Sequence, residues 1–187
     1  MNEVIKKIGE VYSTRGDERY GTEPVSQLQH ALQAAQLARE AGAEPSQVVA
    51  ALLHDIGHLW DHHEMPQSEA ENLDDQHEYR ANRWLREHFG SNVADPIRLH
   101  VRAKRYLCTV DPGYEEHLSP VSRKSFHDQG GAMSEDEVAE FESESSMEDA
   151  LALRRWDDQA KEPNRVTPSL NDFKSEIEAC LRLSGKA

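Results

Sequence analysis

Apolar and polar positions recur with helical spacing along most of the chain, and one stretch departs from that pattern by being apolar on almost every side. Residues 48–59 read VVAALLHDIGHL, where Ala50, Ala51, Leu52, Leu53 and Ile56 surround the axis and His54, Asp55 and His58 close the run. A helix of this kind belongs in the interior of a helical domain; Pro45 and Ser46 open it, and Gly57 and His58 mark its end. Residues 2–13 predict an amphipathic helix with Val4, Ile5, Ile8, Val11 and Tyr12 on its inner side. A polar loop over 14–23 leads to Pro24, which suits the first turn of a helix because its missing N–H would go unbonded there. That second helix is expected to end at Gly42, with His30, Ala34, Leu37 and Ala41 sharing one face.

Downstream, residues 60–75 are polar and contain Pro66, which predicts a long surface loop of the sort that often carries function. Residues 75–89 predict a helix with His77 in its first turn, Ala81, Trp84, Leu85 and Phe89 inward, and Gly90 at its end. The next helix is expected to start at Asn92 or Asp95 and to carry Ile97, His100, Val101 and Lys104 as far as Leu107. Asp111, Pro112 and Gly113 signal a turn. Residues 119–126 predict a short helix broken by Gly130 and Gly131, and residues 134–143 a polar helix with Ser134 and Glu137 in capping-box register. Residues 147–161 offer Leu151, Leu153 and Trp156 for packing, and residues 170–183 form the last helix. With no alternating β-branched run, the expected fold class is all-α, a helical bundle in one domain over 1–187.

Charge narrows the partners. The 35 acidic residues against 21 basic ones give a net charge of -14, the wrong sign for nucleic acid, whose phosphates need a basic face. A mean hydropathy of -0.81, with no apolar segment of about 18 residues, argues against a membrane span. The N-terminus lacks the apolar core of a signal peptide, so a cytoplasmic location is expected. Cys108 and Cys180 make neither a ligand spacing nor a disulfide framework. The acidic block over 135–149 lacks the ligand pattern and glycine of a calcium loop and reads as a solvated helix face.

Histidine is the unusual component, with ten in the chain. His62, His63, His88, His117 and His127 read as ordinary polar residues. His54 and Asp55, at the end of an interior helix, are costly unless a hydrogen bond, an opposite charge or a metal satisfies them. A hydrogen-bonded core histidine with an ion-paired aspartate is the simpler alternative. A metal is the economical one, because imidazole and carboxylate offer nitrogen and oxygen ligands from one rigid element. Lys104, four residues after His100, and His58, one turn after His54, fall on the faces that carry those residues. By residue type alone, Lys104 and Arg154 would be surface charges.

The inward candidates, in order, are His30, His54, Asp55, His77, His100 and Asp157. This order resembles the HD-domain superfamily of metal-dependent helical proteins, whose minimal pattern is H, HD, D; His77 and His100 raise the ligand count to six, enough for two metals with Asp55 between them. Imidazoles with carboxylates suit iron or manganese better than a thiolate-loving ion. The segments YGTEPVSQLQH (20–30), HDIGH (54–58), HVRAKRYL (100–107), SRKSFHDQGG (122–131) and RRWD (154–157) sharpen the resemblance. They resemble the mixed-valent diiron oxygenases of organophosphonate breakdown and, more distantly, myo-inositol oxygenase.

That resemblance implies two iron ions, as an Fe(II)/Fe(III) pair, with O2 as co-substrate. The implied reaction cleaves a carbon–phosphorus bond in a small hydroxyphosphonate, either 1-hydroxy-2-(trimethylammonio)ethylphosphonate or 2-amino-1-hydroxyethylphosphonate, and releases phosphate with glycine betaine or glycine. An upstream phosphonate hydroxylase would supply the substrate. By the family pattern, His58, Lys104, Ser122, Gln129 and Arg154 contact phosphonate oxygens, with Asp55, His58 and Lys104 in the catalytic set. Tyr20 would occupy an iron position before substrate arrives, and Glu23 would face the amine. The trimethylated substrate is favoured, because Tyr20 and the acidic stretch before His77 could receive a quaternary nitrogen. The competing reading is an HD phosphohydrolase, in which the same metals activate water against a phosphate ester. A regulatory module that binds metal without turnover is the third.

Overall fold

The computed structural model describes residues 2–60 and 81–181. Asn2 opens helix α1 (Glu3–Arg15) by accepting the Val4 N–H on its side chain. Ile8 and Tyr12 are buried on the inner face of this helix, with Val4, Ile5 and Val11 packed beside them. Helix α2 (Gln27–Glu40) begins three residues beyond the proline start expected for it, because Ser26 and Gln29 form a reciprocal capping box. Pro24 lies in the preceding turn.

The interior run forms α3 (Pro45–Leu53), buried from Val48 through Leu53. The single helix expected through Gly57 breaks at His54 and Asp55 and resumes as the short α4 (Ile56–Leu59). Helix carbonyls in the last turn lack backbone donors, and the His54 ring Nδ1 supplies one to Ala51 at 2.8 Å. Asp55 then leaves helical geometry at φ -103° and ψ 7°, which turns its carboxylate away from the helix path.

Trp60 is buried; the rest of the expected 60–75 loop, His77 and the start of its helix lie outside the described residues. Helix α5 (Asn82–Phe89) buries Leu85 and Phe89. Gly90, at φ 83°, then reverses the chain into α6 (Ser91–Val110) with no intervening loop. The left-handed backbone favours glycine there, and it lets α6 start earlier than the asparagine or aspartate signals suggested. The turn at 111–113 is followed by α7 (Tyr114–His117), a short helix the pattern did not announce. Helices α8 (Pro120–Asp128), α9 (Glu135–Glu142) and α10 (Met147–Gln159) begin where the capping serines and the apolar periodicity placed them. The C-terminal element divides into a 3-10 turn (Leu170–Phe173) and α11 (Lys174–Cys180). Among the described residues no strand forms, and one isolated bridge joins Arg19 to Ser26.

Helix α3 lies between α2, α6 and α11, while α10 packs along α6 and touches α2. Three elements that carry the candidate ligands therefore meet around the end of α3. Tyr12 ties α1 to that end: its hydroxyl donates to the Leu52 carbonyl at 2.6 Å, in the core. Tyr12→Phe would leave a buried carbonyl without this donor and is expected to cost about 1–3 kcal/mol. A urea midpoint equal to that of wild type would contradict the expectation.

Candidate metal centre and active-site cavity

Three histidines reach the centre from three helices, and each is oriented the same way. His30 Nδ1 lies 2.9 Å from the Ala160 carbonyl, His54 Nδ1 2.8 Å from that of Ala51, and His100 Nδ1 2.6 Å from that of Ile97. A carbonyl can only accept, so each Nδ1 carries the neutral ring's proton and each Nε2 keeps its lone pair. This is the outer contact that metal-binding histidines ordinarily make.

The lone pairs converge. His30 Nε2 and His54 Nε2 are 3.1 Å apart. Asp55 Oδ2 lies 3.6 and 3.4 Å from them, and Asp157 Oδ1 lies 3.3 and 3.9 Å from them. Asp157 Oδ1 is buried and accepts no hydrogen bond. Donor atoms about 2.1 Å from one ion stand roughly 3.0–3.5 Å apart, so His30, His54 and Asp55 are spaced to hold one cation, with Asp157 beside the two histidines. The other Asp55 oxygen faces elsewhere: Oδ1 is 3.7 Å from His100 Nε2 and 4.0 Å from His58 Nε2. Asp55 thus stands between two groups of donors, and His30, His54, Asp55, His100 and Asp157 are all buried.

The electrostatics agree with a cation site. Burial opposes charge on His54, yet Asp55, Asp157 and the Ala51 carbonyl hold its imidazole up at about 9. Burial also opposes ionisation of Asp157, but Arg154 and Lys161 hold that carboxyl well below the usual range. Without metal, a proton takes part of the cation's place, and metal uptake must displace it. Below about pH 9, metal loading of the apoprotein is therefore expected to release a proton, with affinity falling as pH falls. Pipetting metal into weakly buffered protein beside a pH electrode checks this; an unchanged pH would contradict it.

A cavity of about 290 Å³ opens onto these ligands. Asp55, His58, His100 and Asp157 line its inner side, and Lys104, Arg154, Ser122, Gln129 and Tyr20 complete the wall. Lys104 Nζ donates to Ser125 Oγ at 2.7 Å, and Arg154 pairs with Asp157 Oδ2 at 2.8 Å. Burial first, then the Arg154 charge, lowers Lys104 to about 8. Gln129 Oε1 is buried without a hydrogen bond.

Tyr20 stacks on the His30 ring with centroids 3.9 Å apart. Burial and the carboxylates of Asp157 and Asp55 hold its phenol protonated, far above its ordinary value. Its turn is closed by Glu23 N–H donating to the Tyr20 carbonyl at 2.9 Å. Glu23 itself is buried with Oε1 taking no hydrogen bond, and it is not among the residues that line the cavity. His77 and the acidic stretch before it lie outside the described residues.

Several neighbours escaped the sequence reading. Lys161 Nζ donates to Ser122 Oγ at 2.9 Å, Asp158 pairs with Arg154, and Gln27 and Ser125 line the cavity. Asp158 and Lys161 fall four and seven residues after Arg154, a same-face spacing that could have found them. Other basic residues have structural partners instead. Arg105 binds Glu137 and the Gly131 carbonyl, Arg123 the carbonyls of Glu115 and Glu116, and Lys124 binds Asp128.

This fold and ligand set place the chain in the HD-domain family, whose family model matches residues 28–148. Among its relatives is the hydroxymethylphosphonate dioxygenase of Gimesia maris, 44% identical over 97% of this chain and 90% of that protein. The glycine-betaine-forming [1-hydroxy-2-(trimethylamino)ethyl]phosphonate dioxygenase of Leisingera caerulea is 38% identical over 91% of this chain and 86% of its own length. An uncharacterised protein of Acanthamoeba polyphaga mimivirus is 37% identical over 86% of this chain and 75% of its own. Among the described residues no helix is long and apolar enough to cross a membrane.

Proposed function

We propose that this protein is an O2-dependent dioxygenase that cleaves the carbon–phosphorus bond of a small 1-hydroxyphosphonate, using two iron ions held by His30, His54, Asp55, His77, His100 and Asp157. One observation supports this above the others: a single cavity joins the buried ligands Asp55, His100 and Asp157 to Lys104, Arg154 and Ser122. Cationic and hydroxyl donors beside a metal pair suit a substrate whose hydroxyl and phosphonate sit on one carbon.

The bound iron pair would supply the redox electrons and polarise the substrate hydroxyl. Lys104 and Arg154 neutralise phosphonate charge in a site that is otherwise acidic, and Ser122 and Gln129 add neutral hydrogen bonds. His58 lies 4.0 Å from Asp55 Oδ1 on the cavity wall, within reach of a substrate oxygen. Tyr20 covers the His30 ring and limits water on that side. The overall change balances with one O2 consumed for each carboxylate, phosphate and proton formed. The candidate substrates, hydroxymethylphosphonate and the 2-amino and 2-trimethylammonio hydroxyethylphosphonates, differ only beyond the hydroxylated carbon. Each requires a preceding reaction that installs the hydroxyl.

Phosphate release from these three compounds, recorded together with O2 uptake, tests the reading. One O2 per phosphate in air and none released anaerobically are expected; release that continues without O2 would mean hydrolytic cleavage and contradict an oxygenase. Lys104 also predicts a pH dependence. As pH rises through about 8 it loses the charge that holds the phosphonate, so kcat/KM should fall above that value. A profile flat to about pH 10, where an ordinary lysine titrates, would contradict its role.

A further inference from the structure

We propose that Asp158 is a positioning residue that fixes the orientation of Arg154 and Lys161, and through them the grip on the phosphonate; this rests on the function proposed above. Arginine has five N–H donors in one plane. In Arg154, Nη1 pairs with Asp157 Oδ2, Nε donates to Asp158 Oδ2 at 2.9 Å, and Nη2 donates to Asp158 Oδ1. The Nη1 group and one N–H of Nη2 are not used by Asp158, and the residue lines the cavity. Because the guanidinium is rigid, the two bonds to Asp158 set the plane of the fork, and the remaining edge is the one that grips a pair of oxygens.

The same carboxylate acts on a second donor. Lys161 Nζ lies 3.4 Å from Asp158 Oδ1 and donates to Ser122 Oγ. The Ser122 oxygen thus accepts from Lys161, which leaves the Ser122 proton to be donated into the cavity that the residue lines. Tyr114 Oη completes the network by donating to Asp158 Oδ2 at 2.7 Å. Asp158 does not line the substrate cavity; it borders a separate recess of about 310 Å³ with Tyr114, His117 and Arg155. Its effect on substrate therefore passes through Arg154 and Lys161. Its negative charge also offsets part of the like-charge repulsion that Arg154 and Lys161 exert on Lys104.

The test uses the iron-loaded full chain and inorganic phosphate as the probe, with Kd from calorimetry, then KM and kcat on the active hydroxyphosphonate. Asp158→Asn is expected to weaken phosphate binding and raise KM by roughly tenfold, with kcat and iron content held within about twofold. Tyr114→Phe, which removes a single donor and is the variant to rely on if Asp158→Asn does not fold, should move both in the same direction by about two- to threefold. Unchanged Kd and KM in the folded fraction of either variant would overturn the proposal, since a merely structural role reduces the yield of folded protein and leaves those constants alone. Wild-type protein that neither binds phosphate nor turns over a hydroxyphosphonate would instead remove the functional reading beneath it.

Discussion

Asp55→Asn is expected to abolish turnover and to lower metal affinity by more than about a hundredfold, beyond the ten- to hundredfold lost when only an outer contact of a metal ligand changes. The reason is positional. One oxygen of Asp55 faces His30 and His54, and the other faces His100, so a single substitution removes a charged donor from both groups. The amide would also direct N–H bonds toward a cation. Metal analysis of purified variant and wild type reads the effect, and wild-type metal content in the variant would show that the carboxylate holds neither ion.

Lys104→Ala carries the second large effect, and it should separate from the first. The side chain is 2% exposed, bonded to Ser125, and on the cavity wall, but it lies outside the cluster of metal donors. Removing it takes away a charge-assisted hydrogen bond of about 2 kcal/mol, roughly a thirtyfold rise in KM for the hydroxyphosphonate. The metal content should be unchanged. Loss of metal with little change in KM would mean that the lysine supports the ligands and does not meet the substrate.

Much of this centre could be read from the chain because ligands were carried on strongly patterned helices. His30 shares a face with Ala34 and Leu37, and His100 and Lys104 lie one turn apart, so periodicity alone turned them to the same interior. The break at His54 and Asp55 was not legible. The apolar run continues through it to Ile56, and the side-chain hydrogen bond and backbone turn at this point leave no mark in the pattern. The start of α2 was misplaced for a similar reason, since a serine and glutamine forming a reciprocal cap outweighed a nearby proline. Asp158 was hidden by its neighbour. Asp157 is buried and Asp158 half-buried beside it, and both are held by Arg154 and Lys161. Glu23, expected from the family resemblance to face the substrate, is buried away from the lining of the cavity.

The most direct measurement is iron per chain in anaerobically loaded wild-type protein beside His100→Ala. Asp55 should be shared by the two ions, with His100 on one and His30, His54 and Asp157 on the other, so two irons are predicted for wild type and one for the variant. A single iron in wild type, or the same number in both proteins, would contradict a two-metal centre built around Asp55.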